Sequence, residues 1–89
     1  MKAVVTVVGK DQVGIIAAVC IKLAEYNVNV LDISQTVMQG YFTMMMVVDV
    51  SASQLPVAEL AHVMDEKGKE MNLSIRLQRE DIFEAMHRV

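Results

Sequence analysis

Residues 9–23 read GKDQVGIIAAVCIKL, and where this stretch divides decides the fold. Upstream, Ala3 to Val8 is a run of β-formers that stops at Gly9; after a short polar turn, Gly14 stands where an apolar helix begins. Asp11 is the expected N-cap, its carboxylate accepting a hydrogen bond from the amide of Val13 or Gly14. The remaining first-turn amides and the helix dipole favour a small anion or carboxylate, and Gly14, lacking a Cβ, lets a ligand come close. The Gly9-x-x-x-x-Gly14 spacing is that of a P-loop, but Ile15 and Ile16 stand where phosphate binding needs Lys and Ser/Thr. The three-glycine dinucleotide pattern is incomplete as well. On local sequence alone, an ordinary strand-to-helix turn accounts for both glycines.

Downstream the period is helical from Val13 to Tyr26, with Val13, Ile16, Cys20, Leu23 and Asn27 on the expected buried face. Ile15 and Ile21 then flank the exposed face, where a second subunit would cover them. Asn27 closes the helix, since Asn tolerates the left-handed conformation. Val28 to Met38 is a second strand whose apolar parity changes at Val30-Leu31, by a bulge or by burial of both faces. Gln39-Gly40 is a hairpin turn and Tyr41 to Val50 a third strand. Met44, Met45 and Met46 alternate across that strand with no Cys or His nearby, so they pack and do not bind a metal. Ser53 is the expected cap of a second helix, with Pro56 in its first turn. The stripe of that helix is Val57, Leu60, Ala61, Met64, Gly68 and Met71; His62, one turn before Glu66, faces water. Leu73 to Gln78 alternates as a fourth strand, and Ile82, Phe83, Met86 and Val89 have the spacing of a short amphipathic tail helix.

The order β-α-β-β-α-β plus a tail predicts an α+β, ferredoxin-like sandwich: a four-stranded antiparallel sheet with two helices on one face. The expected division is a domain over residues 1–80 and a C-terminal helix over residues 81–89. One face of the sheet is left bare, so the tail, a second subunit or both should cover it. A chain of 89 residues is one domain that buries only about 60–70% of its unfolded surface. At 54% hydrophobic and 4% aromatic, its core is aliphatic and methionine-rich, with enough apolar surface to expect a partner. A net charge of −3 argues against a nucleic-acid backbone as that partner. The single Cys20 forms no internal disulfide, which fits a reducing cytosol, and no apolar run is long enough to span a membrane.

Each use of such a sandwich is tested at its site. An RNA-recognition module needs aromatics on the first and third strands, yet the first has none and the third has only Tyr41 and Phe42 at its start. A metal carrier needs a Cys pair in the first loop, which has none. An acylphosphatase-like enzyme wants an arginine there; the loop offers only Lys10, and His62 and His87 lie far from it in sequence. No catalytic set and no cofactor site follow.

GKDQVGIIAAVCIKLAEYNVNVLDISQTV (9–37), with YFTMMMVVDVS (41–51), resembles an ACT domain in its Gly-x-Asp-x-x-Gly-Ile turn, apolar helix and Leu-Ala-Glu-x-Asn end. The chain most resembles small stand-alone ACT-domain proteins of bacteria and archaea, themselves uncharacterised, and beyond them the ACT domains of a glycine-cleavage transcriptional repressor. The resemblance implies a regulatory module that binds an amino acid or similar effector at the first strand-to-helix turn, against a second copy, as a homodimer or higher oligomer. A protein partner in trans is also compatible with it. By position, the binding turn is Lys10, Asp11, Gln12, Val13, Gly14 and Ile15, with Ile33, Ser34 and Gln35 as a wall. Val13 stands where the family turn usually has proline. A purely structural dimerisation module and, less favoured, an acylphosphatase-like enzyme using Lys10 are the alternatives.

Overall fold

Each boundary between elements has a local cause in the computed structural model, which describes residues 1–86. Strand β1 (Lys2–Lys10) leads through the glycine turn into α1 (Ile15–Glu25). The α1 helix stops where Asn27 takes φ 59° and Val28 N–H donates to the Leu23 carbonyl at 3.1 Å, a left-handed closure that satisfies the last carbonyls. Strand β2 (Asn29–Met38) and strand β3 (Tyr41–Asp49) form a hairpin. Both turn residues, Gln39 at φ 51° and Gly40 at φ 82°, have the positive φ that matches the strand twist. Helix α2 (Val57–Met71) ends at Asn72, φ 57°, and strand β4 (Ser74–Arg79) runs directly into α3 (Glu80–Met86).

The sheet is antiparallel with order β2-β3-β1-β4, so the ferredoxin-like expectation holds, with a short C-terminal helix added. Ala3, Val5 and Val7 of β1, with Met44, Met46 and Val48 of β3, meet Ile15, Val19 and Leu23 of α1 and Leu60 and Met64 of α2 in one core. The parity change in β2 is a bulge between Val30 and Asp32. Met45 points away from Met44 and Met46, which are fully buried.

Several local expectations are corrected. Asp11 does not cap α1: the N-cap is Gly14, in the left-handed region, with no side-chain cap. The helix therefore starts at Ile15, and its buried face is Ile15, Val19 and Leu23 rather than the face through Val13. Val13 is fully exposed, Ile15 is buried, and Cys20 and Ile16 are half-buried at the core's margin. Ile21 is exposed as expected. Pro56, in extended conformation, is the N-cap of α2, while Ser53 instead closes a small turn by bonding Leu55 N–H and carbonyl at 3.1 Å each. Val89 and His87 lie outside the described residues.

Gly68 shows how tightly α2 closes onto β4. Leu73 N–H donates to the Gly68 carbonyl at 2.7 Å, and a Cβ on Gly68 would stand 2.6 Å from the Leu73 carbonyl oxygen. Backbone cannot swing aside as a side-chain tip does. Gly68→Ala is thus expected to lose roughly 1–3 kcal/mol to overpacking, more than the ~1 kcal/mol it gains in helix propensity. Thermal denaturation checks this, and an unchanged or higher melting point would show that the α2–β4 connection yields.

Candidate functional site

The turn between β1 and α1 is anchored at both ends, which fixes the start of the helix in space. Asp11 N–H donates to the Gly40 carbonyl at 2.8 Å, tying it to the hairpin tip, and Gln12 Nε2 donates to the Met71 carbonyl at 3.0 Å, tying it to the end of α2. Gly14 then takes φ 88°, a conformation that suits glycine, and its carbonyl accepts Ala18 N–H at 2.9 Å. With no side-chain cap on α1, the first-turn amides, those of Ile15, Ile16 and Ala17, are the polar groups left for solvent or a ligand. The helix starts at Ile15, two residues later than the period from Val13 predicts, and its free amides shift with it.

A groove of about 290 Å³ opens beside these amides. Asp11, Gln12 and Gly14 form its rim, Ile15, Ile16 and Ala17 one side, and Gln35, Val37 and Phe42 the sheet wall. Phe42 and Ile15 are buried and make an apolar floor, while Gln35 and Asp11 supply polar side chains at the opening. Such a mixture, an apolar base with a few polar groups at one end, suits a small zwitterion with an aliphatic part. Among the described residues there is no cluster of His, Cys, Asp and Glu suited to a metal ion.

Of the residues expected at the site, Asp11, Gln12, Gly14, Ile15 and Gln35 line the groove. Four do not. Lys10 pairs with Tyr41 at the end of β1, and Val13 projects into solvent. Ser34 pairs with Met45 on the opposite face of the sheet, where it lines a shallower depression with Asp32 and Val47. Ile33 pairs with Met46, further along β2 than the groove reaches. Ile16, Ala17, Val37 and Phe42 were missed. The two-residue Gln39-Gly40 turn held the signal for the last two, since it fixes the register that sets Val37 against Phe42.

Comparison with known proteins agrees with the fold. The family model of the ACT domain matches residues 2–78. A UPF0237 protein of Clostridium acetobutylicum is 54% identical over 89 residues, covering all of both chains. An ACT domain protein from Streptococcus pneumoniae superposes with a TM-score of 0.83 at 47% identity, covering 98% of each chain. The regulatory subunit of aspartate kinase from Thermus thermophilus superposes with a TM-score of 0.66 at 26% identity, over 86% of this chain and 50% of that one. The chain belongs to the ACT domain family, a regulatory, ligand-binding kind of domain.

Proposed function

We propose that this ACT-domain chain is a non-enzymatic sensor in the cytoplasm that binds an amino acid in the groove at the start of α1 and acts as an oligomer. The observation that carries the reading is the uncapped first turn of α1 facing a half-apolar groove. The effector's carboxylate sits at the amides of Ile15, Ile16 and Ala17, where the helix dipole favours negative charge. Asp11, on the rim, takes the ammonium group, and the side chain lies over Ile15 and Phe42. Gln35 closes the polar end from the sheet.

The groove is open along β2, and there a second copy completes it. All ten residues of β2 are exposed or half-buried, and its outer edge is unpaired. Ile33 and Val37 on the helix side of β2, with Ile21 on α1, form an exposed apolar flank beside the groove. A long apolar edge strand of this kind pairs with another chain unless something blocks it. A purely structural dimerisation module would use the same flank, and only a ligand response separates the two.

A thermal-shift screen of the proteinogenic amino acids, followed by amide spectra of residues 11–17, tests the sensor. If none of them moves either the melting point or those amides, the amino-acid reading is wrong. For the flank, Ile21→Asp is expected to halve the mass of the assembly in light scattering, because it sets a charge into an apolar contact while leaving an already exposed helix position. An unchanged mass would remove this flank as the interface.

A further inference from the structure

We propose that the outer edge of β4 docks an extended segment of a partner protein, which adds as a further strand and sets apolar side chains into a trough between β4 and α2. The proposal rests on neither the effector groove nor the β2 flank, because β4 is the opposite edge of the sheet.

The trough follows from the sequence of α2. Leu60, Met64 and Gly68 are its buried residues, and at Gly68 the helix closes onto the Leu73–Ile75 backbone. Beside that stripe, Ala58, Ala61 and Asp65 recur at helical spacing, so the side of α2 along the strand edge carries short side chains. Such side chains do not roof the edge. Two hollows are left, one of about 210 Å³ between Ala61, Asp65 and Ile75, the other of about 350 Å³ between Ala58, Ala61, Leu77 and Ile82. Ala61, Leu77 and Gln78 line both, which joins them into one trough along β4. At the Arg79 end, Ile82 of α3 bounds it.

The strand supplies the other half of the site. On one side β4 pairs with β1 without a break from Ala3–Arg79 to Val8–Ser74, and it contains no proline. On its other side no strand follows among the described residues. Alternate residues therefore turn N–H and C=O outward, the row that a further strand needs. An open edge beside a trough offers both parts of strand-addition recognition: main-chain bonds for affinity and hollows for alternate side chains.

The register states the chemistry of the partner. Ile75 and Leu77 belong to the core on the helix side, so Arg76 between them turns to the other face. Residues of an added strand opposite Ile75 and Leu77 enter the two hollows, and the one opposite Arg76 stands beside its guanidinium. Arg76 is exposed and has no ion pair among the described residues, whereas Asp65 is held by Lys69 and Arg79 by Asp81. The segment that fits reads apolar–acidic–apolar in extended form.

The test uses amide spectra of the full chain with capped nine-residue peptides. Their centres are apolar–Asp–apolar triplets drawn from Val, Ile and Leu, and each has a counterpart with Lys for Asp. The Asp peptides are expected to shift the amides of residues 74–78 and 58–65, and to bind about tenfold or more tighter than the Lys peptides. Arg76→Glu should reverse that preference, and Ala58→Arg, filling the wider hollow, should abolish binding. Both positions are exposed, so unchanged thermal melts will show that folding is intact. Methylating the peptide's amides along one edge should also abolish binding, while methylation along the other edge leaves it. The inference is overturned if no triplet shifts those amides, if methylation of neither edge matters, or if Arg76→Glu keeps the preference for Asp. It is likewise overturned if Arg76→Glu alone, without peptide, lowers the sedimenting mass, because a second copy would then occupy this edge.

Discussion

At about 100 times its Kd, an effector amino acid is expected to stabilise the fold by ~2.7 kcal/mol, which raises the melting temperature of a domain this size by roughly 10–20 °C. The size of this effect makes it a decisive measurement. Gln35→Leu should remove most of it while leaving the unliganded melting point nearly unchanged, because Gln35 is exposed and lines the groove without anchoring the turn. Gly14 is a poorer position for this test. A Cβ there meets no atom within 4 Å, but φ 88° strains any side chain, so Gly14→Val would destabilise the turn as well as change the groove. Gln12→Ala separates anchoring from binding: losing the bond to the Met71 carbonyl should lower stability and the ligand response together. A ligand shift that survives Gln35→Leu intact would move the site away from this groove.

The fold was legible because its boundaries are written in local chemistry. Asn27 and Gln39-Gly40, read as stops, take positive φ, as does Asn72, which the sequence reading did not single out, and alternation in β3 and β4 assigned the faces correctly. The phase of α1 was not legible, and the cause is specific. Val13, Ile15, Ile16, Val19 and Ile21 are all apolar, so periodicity alone admits more than one buried face. The choice is made by Gly14, whose left-handed conformation delays the helix to Ile15 and turns that side chain into the core. Asp11, a suitable cap by type, is instead held by its backbone to Gly40. The site expectation inherited the same shift. Asp11, Gln12, Gly14 and Ile15 of the expected turn line the groove, but of the expected wall only Gln35 does, because strand alternation sends Ser34 to the opposite face and Ile33 stands further along β2.

Leu23→Ala is the scaffold counterpart of Gln35→Leu. Leu23 has no exposed surface, and its carbonyl accepts Tyr26 N–H and Val28 N–H, both at 3.1 Å, so the same residue fills the core and ends α1. Truncating it removes most of a buried side chain and leaves a cavity that the sheet beneath cannot collapse into, at a cost of ~2–5 kcal/mol. A domain of this size has a total stability on the order of 4–13 kcal/mol, so the variant should melt far below the natural chain and stand near the edge of folding at body temperature. The groove lies at the other end of α1, about 12 Å away at 1.5 Å per residue, and its lining is untouched. Below its melting point, Leu23→Ala should therefore still gain stability from the effector that Gln35→Leu no longer senses. Should Leu23→Ala retain the natural melting temperature, Leu23 would not be the core residue its burial indicates; should it stay folded yet lose the ligand response, the groove would depend on packing along the whole helix rather than on its first turn.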